Sequence, residues 1–480
     1  LALYPEYAND LPQWVDPAVE PLVLQAIDGS GFPRTENWAA GAVEDPPEID
    51  LARVTAIAKR GPSADLADIL GKAKSGEGLS EDDIVRLFKA RGSDYTAVCQ
   101  AADKMRRQVA GDEVTYCVNR NINYTNVCYF KCQFCAFSKG KMSENLRGKP
   151  YDLSHEEIMR RTKEAGDRGA SEVCLQGGIH PEYTGQTYID IVRSIKQVNP
   201  DMHIHAFSPL EVWQGAKTLG VSISEFLGQL KEAGLGTLPG TAAEILDDEV
   251  RATLCPDKIN TAQWLEVMEA AHGQGFNTTA TIMYGHMEQY KHVARHLLRI
   301  RDLQEKTGGF TEFVILPFIH MESPIYLKGR ARKGPTFREA ILIHAISRLV
   351  LHPLFKNIQA SWTKLGHEGV RACLQAGVND LGGTLMNETI TRAAGAAHGQ
   401  ETSPEEMEEI IRSIGRTPRQ RSTTYGEITE LQRQKSFGAV TLLEPTYTSA
   451  KKYERKQSKK KQELVRNELE PEKLTSQDII

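Results

Sequence analysis

Between Gly111 and about residue 427, short runs of apolar and β-branched residues alternate with longer amphipathic segments. The runs have the length of buried strands, and the segments between them have the length and period of helices. Eight strand–helix units in about 280 residues predict an α/β fold, a (β/α)8 barrel of the TIM type, although weak fourth and eighth strands leave an incomplete barrel open. The candidate strands are EVTYCV with NINYTNV, SEVCLQ, HIHAFS, LGTLPG, NTTATIMY, EFVILPF, IQASWT and DLGGTL.

The predicted helices begin at residues that can cap them. In each case a hydroxyl or amide side chain is followed three residues later by an acidic residue or glutamine, which is the pattern of a capping box. These pairs are Ser80 with Asp83, Ser154 with Glu157, Asn260 with Gln263, Thr336 with Glu339, and Ser403 with Glu406.

Changes in composition and in hydrophobic period along the chain predict four regions. Residues 1–48 are rich in Pro, Asp and Trp and lack a sustained period, which is typical of a linker. Residues 49–110 have a helical period and form an N-terminal helical extension, and residues 111–427 form the barrel. Residues 428–480 are highly charged and end in a Lys-rich stretch, so we expect a largely disordered, solvated tail.

Composition limits the partners and the cellular compartment that we expect for the protein. The chain has 480 residues and a net charge of −5, which does not suggest nucleic acid or a membrane as a partner. No apolar run approaches the length of a membrane span, and no signal peptide opens the sequence. Eight scattered or clustered cysteines are too few for a secreted disulfide framework. We therefore expect a cytoplasmic protein, or an organellar one in a eukaryote. Leu1 in place of Met indicates a chain that begins inside a longer reading frame or after processing.

Three of the cysteines, Cys128, Cys132 and Cys135, crowd into the stretch CYFKCQFC. Such crowding is unusual for packing alone, and a structural zinc site normally closes with a fourth ligand, which no neighbouring cysteine supplies. A catalytic zinc with three protein ligands, as in a zinc hydrolase, is one alternative. A 4Fe–4S cluster held by three thiolates is the interpretation we favour, because it leaves one iron open for a reaction partner.

The same stretch resembles the cluster-binding loop of the radical S-adenosylmethionine (SAM) enzymes. In those enzymes C-x3-C-x2-C follows the first barrel strand and has an aromatic residue, here Phe134, before the last cysteine. The resemblance implies that Cys128, Cys132 and Cys135 ligate a 4Fe–4S cluster and that Phe134 belongs to the cofactor site. It also implies that SAM binds the open iron and is cleaved to methionine and a 5′-deoxyadenosyl radical, while the protein supplies orientation and a dry cavity.

Other segments resemble cofactor-binding elements of that superfamily. LQGGIHPE is similar to a Gly-Gly-Glu element with Ile179 in place of the acid, and TIMYGHME is similar to G-x-I-x-G-x-x-E with Thr281 in place of the first glycine. Plain turns, a solvated glutamate and satisfied core histidines are the structural alternatives. From strand ends, where barrel sites form, the candidates for cofactor binding are Gly177, Gly178, Ser208, Glu244, Gly285 and Glu288, and those for catalysis are His205, His320 and Tyr284.

The wider sequence resembles one subfamily, the CofH-like 4-hydroxyphenyl transferase half of FO synthases, which build the deazaflavin FO. The stretches that carry this resemblance include PLEVWQGAKTLG, GVNDLGGTLMNETITRAAGAAHG and IGRTPRQRSTTYG. It implies L-tyrosine and 5-amino-6-(D-ribitylamino)uracil as substrates and an electron donor as a partner. Radical enzymes of the futalosine menaquinone route are the alternative within the superfamily, and an iron–sulfur carrier is the alternative that is not an enzyme.

The first 45 residues resemble the C-terminal end of the ring-closing enzyme of FO synthesis. In some organisms the two enzymes are fused into one bifunctional chain. We therefore interpret residues 1–48 as a stub of the preceding half and expect a ring-closing partner, fused or separate. An unrelated flexible linker is the alternative.

Overall fold

The computed structural model describes residues 3–8, 10–56, 60–138, 149–450 and Val465. The strands are β1 Glu113–Cys117, β2 Asn119–Asn123, β3 Glu172–Gln176, β4 His203–His205, β5 Thr237–Leu238, β6 Asn277–Tyr284, β7 Phe310–Pro317, β8 Asn357–Ala360, β9 Asp380–Gly383 and β10 Thr417–Arg421. The helices are α1 Pro5–Ala8, α2 Leu11–Trp14, α3 Glu20–Gln25, α4 Glu48–Thr55, α5 Ala64–Ser75, α6 Glu81–Phe88, α7 Ser93–Ala110, α8 His155–Asp167, α9 Gly185–Val198, α10 Pro209–Leu219, α11 Ile223–Ala233, α12 Asp248–Leu254, α13 Thr261–Gly273, α14 Tyr290–Thr307, α15 Pro324–Leu327, α16 Phe337–Leu351, α17 Trp362–Leu374, α18 Ile390–Ala393, α19 Pro404–Ser413 and α20 Glu430–Ser436.

All strand pairs within the sheet are parallel, in the order β10-β1-β9-β8-β7-β6-β5-β4-β3-β2. Only Val118 separates β1 from β2, so β2, the last strand of this order, returns beside β1 and the sheet curls into a partial barrel. There the amide of Asn121 in β2 donates to the carbonyl of Leu385, just beyond β9, at 3.1 Å. The predicted α/β fold is confirmed, and all nine predicted strand segments are present.

Alternation along the strands places polar groups inside the barrel and apolar groups under the helices. In β6, Ala280 and Ile282 are fully buried in the hydrophobic core, whereas Thr279 and Thr281 line a central cavity. Successive side chains of a strand point to opposite faces, so this period of two follows from the sequence NTTATIMY. The barrel interior is therefore polar by construction.

The capping pairs predicted from sequence are confirmed. Ser154 accepts a hydrogen bond from the amide of Glu157, and Thr336 with Glu339 forms a reciprocal capping box at the start of α16. Ser80, Asn260 and Ser403 cap their helices in the same way. A polar side chain at this position satisfies one of the four amide groups that a helix leaves unpaired.

The N-terminal segment packs against the barrel, unlike the free linker that its composition predicts. The buried carboxylate of Asp28 pairs with Arg338 at 3.1 Å and Arg91 at 2.6 Å. Further along, the amide of Gly41 donates to the carbonyl of Lys364 at 2.7 Å. Short helices and ion pairs of this kind have no long hydrophobic period, so the sequence pattern did not reveal them. The origin of the segment as a stub of another enzyme stays a prediction.

The C-terminal region is described over residues 428–450 and at Val465 only. Helix α20 lies in this part, and Ser449 forms an antiparallel bridge with Tyr151 beside the barrel mouth. Docking of residues 441–450 differs from the solvated tail expected here, while residues 451–464 and 466–480 lie outside the described residues.

Strand β10 was missed, because the sequence TPRQR lacks the apolar residues of the other strands.

We expect Asp28→Asn to lower the free energy of unfolding by about 3 kcal/mol, because it removes one partner of a buried ion pair. Two arginines would lose their carboxylate, although the side chain would still accept from the amides of Ser30 and Phe32. Urea unfolding followed by circular dichroism measures the change.

Asp16→Asn is the matched control, because Asp16 is exposed and its side chain accepts a hydrogen bond from the amide of Ala18. Its effect should stay within about 0.5 kcal/mol. Equal stability of the two variants would mean that the N-terminal segment does not dock in solution as described here.

Candidate active site

The three clustered cysteines lie in the loop that follows β2. Cys128, Cys132 and Cys135 are each half-buried, and burial raises the pKa of the Cys128 thiol to about 11 and that of Cys132 well above its ordinary range. Each of these two pKa values is also raised by the other nearby thiols of the loop. The loop is held by main-chain hydrogen bonds from Tyr129 to Ile179 and from Gln133 to Leu254. These thiols act on one another's pKa values, so they lie near one another in the loop.

A buried lysine adds positive charge beside the cysteine loop. The ammonium of Lys258 is 2.7 Å from Glu244 and 5.6 Å from the ring centroid of Phe134. Burial disfavours its charge, but Glu244 and the neighbouring thiols raise the pKa of Lys258 above its ordinary value. Lys258 also opposes the rise in the pKa of Cys132. Partly buried thiols become thiolates more readily beside positive charge, so the donor set fits a metal cluster.

Two glycines bring a second loop against the cysteines. A Cβ atom on Gly178 would lie 2.2 Å from the carbonyl oxygen of Val127 and 2.9 Å from the Cβ of Cys128. A Cβ on Gly177 would lie 2.3 Å from the ring of Tyr124. Any larger residue here would displace the chain at the first cysteine, so these positions require glycine. The predicted role of both glycines beside the cofactor is compatible with this contact and stays a prediction.

A cavity of about 220 Å³ lies inside the barrel and is lined mainly by polar side chains from the strands. Its lining includes Asn119, Asn121, Glu172, Gln176, His205, Thr281, Glu312, Gln359, Lys364, Arg421 and Thr423. Apolar side chains such as Val314, Leu316 and Leu385 lie among them, so the cavity suits a ligand with both polar and apolar parts.

A buried charge network forms one wall of this cavity. The guanidinium of Arg421 makes a two-pronged contact with Asp380, at 2.7 and 3.0 Å, and contacts Glu312 at 3.2 Å. Burial raises the pKa of Glu312 to about 7, although Arg421 opposes the rise. Tyr425 donates a hydrogen bond to the same carboxylate. Two carboxylates share one arginine, and Glu312 can therefore hold a proton near neutral pH.

Of the three catalytic candidates, His205 lines the cavity. Its Nδ1 is 2.7 Å from Thr237 Oγ1, and burial lowers the pKa of the imidazole to about 4, so it is neutral at pH 7. His320 packs edge-on against Tyr326, and Tyr284 is buried with a hydroxyl that has no hydrogen-bond partner in the described structure. Neither His320 nor Tyr284 lines the central cavity.

Several predicted cofactor residues have partners within the protein, and their role beside the cofactor stays a prediction. Ser208 caps α10 through the amide of Glu211. Both carboxylate oxygens of Glu288 accept main-chain amides, one from Gly285, and Arg332 pairs with it at 3.0 Å. Gly285 has a positive φ of 94° and packs tightly against Pro335. Glu244 alone among the acidic candidates lies beside the cysteine loop, through Lys258.

Sequence reasoning missed most of the cavity lining. Glu172 and Cys174 in β3 face the interior, as do Asn119 and Asn121 in β2. The available signal was polar residues at every second position of a barrel strand, since alternate side chains point inward. Arg421 and Lys364 carried no such signal, because they lie on the unrecognised β10 and just after β8.

Two family profiles match the chain: the radical SAM superfamily over residues 122–300 and the CofH/MqnC C-terminal region over residues 307–434. A 5-amino-6-(D-ribitylamino)uracil–L-tyrosine 4-hydroxyphenyl transferase from Methanothermobacter thermautotrophicus is 47% identical over 363 residues, covering 76% of this chain and 98% of that protein. The chain belongs to the radical SAM CofH/MqnC family.

FO synthases are also close relatives of this family member. The protein from Mycobacterium leprae is 42% identical across 88% of this chain, and that from Streptomyces coelicolor is 42% identical across 91%. The matches cover 53% and 54% of those proteins, so the chain spans about half their length.

Solved structures agree on the fold of the family. Methylornithine synthase (PylB) superposes with a TM-score of 0.58 at 18% identity, covering 73% of this chain and 97% of that one. HydG from Carboxydothermus hydrogenoformans gives 0.57 at 16% identity, covering 79% and 84%.

Membership of the family implies a 4Fe–4S cluster and SAM. The cysteine loop offers three neighbouring thiols with the Lys258 ammonium beside them, and this donor set fits such a cluster. Among the described residues no helix combines the length and apolar character needed to cross a membrane. The cytoplasmic location stays a prediction.

We expect Glu312→Gln to remove a pH dependence of stability. A carboxyl group with a higher pKa in the folded protein than in the unfolded chain binds its proton more tightly when folded. The stability it contributes is therefore present at low pH and is lost as pH rises from the ordinary value of 4.5 toward 7. In urea unfolding between pH 5.5 and 8, the wild type should lose about 2 kcal/mol relative to the variant. An equal pH dependence in both proteins would contradict the assignment of the proton to Glu312.

Proposed function

We propose that this chain transfers the 4-hydroxybenzyl group of L-tyrosine to 5-amino-6-(D-ribitylamino)uracil, in the biosynthesis of the deazaflavin FO. The observation that carries the proposal is the 47% identity with an archaeal transferase of that name along 98% of its length. The intact C-x3-C-x2-C loop and the polar cavity inside the barrel support it.

In this proposal Cys128, Cys132 and Cys135 hold the 4Fe–4S cluster. When bound, the cluster supplies an electron that cleaves SAM and so generates the radical for the reaction. The cysteine loop is anchored at Tyr129 and Gln133, which fixes the direction of the thiol groups. The Lys258–Glu244 pair keeps a positive charge beside the cluster site.

The segment around Gly177 and Gly178 would place SAM against the cluster. The absence of side chains leaves main-chain groups free to approach the methionyl end closely. Phe134 offers a ring that is already within 5.6 Å of the Lys258 ammonium. These residues bind and orient the cofactor, while the remaining candidates from sequence (Ser208, Gly285 and Glu288) would act by shaping the surrounding turns.

The central cavity would hold the two substrates. Its amide, hydroxyl and carboxylate groups can satisfy the polyol and uracil groups that are removed from water on binding. His205 is neutral and partnered by Thr237, so it can donate or accept a hydrogen bond without adding charge. Glu312 can hold or release a proton in the cavity near neutral pH.

A ring-closing partner and an electron donor complete the proposal. The FO synthases are about twice the length of the region that this chain matches. We infer that ring closure needs a second half, fused or separate, and that this chain alone stops at the hydroxybenzyl–uracil adduct.

We expect the anaerobically reconstituted chain to form 5′-deoxyadenosine and the hydroxybenzyl–uracil adduct from SAM, tyrosine, the diaminouracil and dithionite. Mass spectrometry detects both products. Adding a ring-closing enzyme should convert the adduct to fluorescent FO. A Cys132→Ala variant, which removes one cluster ligand, is the control and should give neither product.

Deoxyadenosine formed with a futalosine-type nucleoside but not with tyrosine would favour the menaquinone route, which the CofH/MqnC family also includes by name. No deoxyadenosine from a chain with an intact cluster would favour an iron–sulfur carrier. Zinc in place of iron after purification would favour the zinc hydrolase. Each of these outcomes contradicts the transferase.

We expect Gly178→Ala to lose more than half of the iron that the wild type binds, because its Cβ would push on Val127 and Cys128. Changes in the shell around metal ligands typically cost about 10- to 100-fold in affinity. Iron analysis and visible absorption measure the loss. Gly228→Ala is the matched control, because nothing lies within 4 Å of its Cβ on helix α11. Equal iron in the two variants would mean that the loop containing Gly177 and Gly178 does not contribute to the cluster site.

A further inference from the structure

Lys364 places an ammonium group in the cavity, and it is not one of the residues predicted to bind the cofactor. It follows β8 at the carboxyl end of the sheet, where sites in this architecture form. Its side chain lines the cavity and donates to Thr391 Oγ1 at 3.0 Å. It stays partly accessible on the cavity side, while the surrounding protein lowers its pKa by desolvation.

No carboxylate of the described residues forms an ion pair with Lys364. Among the described residues, the carboxylate that acts on its charge is that of Glu388. Both oxygens of that carboxylate already accept hydrogen bonds, from the amides of Ile390 and Thr391, at 2.8 to 3.0 Å. By contrast, Arg421 in the same cavity is matched by Asp380 and Glu312. A charge with one neutral partner inside a protein is costly unless a ligand completes it.

The main chain that carries Lys364 is held firmly. The amide of Gly41 donates to its carbonyl, and the carbonyl of Gly41 accepts from Ala397 at 2.9 Å. Two residues further on, Gly366 has a φ of 67° and interrupts the helical geometry of α17. The Lys364 carbonyl is thus tied to the N-terminal segment, and the ammonium is preorganised for a ligand.

We propose that Lys364 binds the α-carboxylate of L-tyrosine. This inference rests on the proposed function, which brings two substrates to the cavity. Of these two, the diaminouracil carries no carboxylate, whereas the amino acid does. Lys364 offers a charge-assisted hydrogen bond, and the hydroxyl of Thr391 beside it offers a second donor. Lys364 is a substrate-binding residue and takes no part in bond cleavage.

Two carboxylates in the same cavity give a second reason to expect the amino acid to bind in this orientation. Glu172 and Glu312 line the same cavity and can accept from the amino group of the substrate. A ligand with one anionic and one amine group matches a cavity that contains both a free cation and carboxylates.

The test is equilibrium dialysis of labelled tyrosine and labelled tyramine with the reconstituted protein and SAM, without reductant so that no turnover occurs. Tyramine lacks the carboxylate and keeps the ring and amine. We expect the wild type to bind tyrosine about 10- to 100-fold more tightly than tyramine, the usual scale for a hydrogen bond to a charged group. Lys364→Met should remove this difference by weakening tyrosine binding alone.

Two variants keep the result interpretable. Lys364→Arg retains the charge and should retain most of the preference for tyrosine. Lys356→Met removes an exposed lysine that lies just before β8 and does not line the cavity, and this variant should bind like the wild type. Binding of SAM and of the diaminouracil should change less than twofold in Lys364→Met, which excludes a general loss of folding.

Unchanged tyrosine affinity in Lys364→Met would overturn this inference and leave the transferase intact. Weaker binding of SAM, with tyrosine unaffected, would assign Lys364 to the cofactor and also overturn it. A wild type that binds neither tyrosine nor tyramine would contradict the proposed function itself.

Discussion

The contact between Arg421 and the carboxylates of Asp380 and Glu312 is the interaction on which the barrel interior depends. A partial barrel of this size turns half of its strand side chains inward, and here those side chains are polar. Asp380 is completely buried, so its charge is tolerable only because Arg421 contacts it through two nitrogen atoms. Arg421 comes from β10, which pairs with β1 beside β9. Strand β10, at one end of the sheet order, therefore supplies the arginine that pairs with the buried carboxylates inside the barrel.

The cysteine loop is positioned by a different kind of interaction, the close packing of its main chain against a neighbouring loop. Gly178 leaves no space for a side chain between its own loop and Cys128. Glu244 lies in the loop after β5 and Lys258 in the loop after α12, and their contact places the Lys258 ammonium beside the thiols. Charge compensation and steric exclusion thus act at neighbouring positions, so the thiols are positioned before any cluster binds.

The N-terminal segment links the edge of the fold to its centre. Asp28 attaches the segment to α16 through Arg338, and Gly41 attaches it to the main chain at Lys364. A stretch that composition describes as a linker therefore supports a residue of the cavity. The C-terminal residues 441–450 dock beside the barrel mouth, where the ring of Tyr447 packs on Tyr151 and near the guanidinium of Arg161. Both extensions contribute to the surroundings of the site.

The sequence by itself determined the strand and helix order, the helix caps and the cluster motif, because these depend on local periods and on residues close together in the chain. Cys128, Cys132 and Cys135 are recognisable for that reason, as are Ser154 and Thr336. Tertiary structure decided which strand-end residues meet. It brought Lys364, Arg421 and Glu172 to one cavity, and it engaged Glu288 and Ser208 in their own turns. Side-chain direction depends on strand pairing and on curling of the sheet, which link residues far apart in the chain.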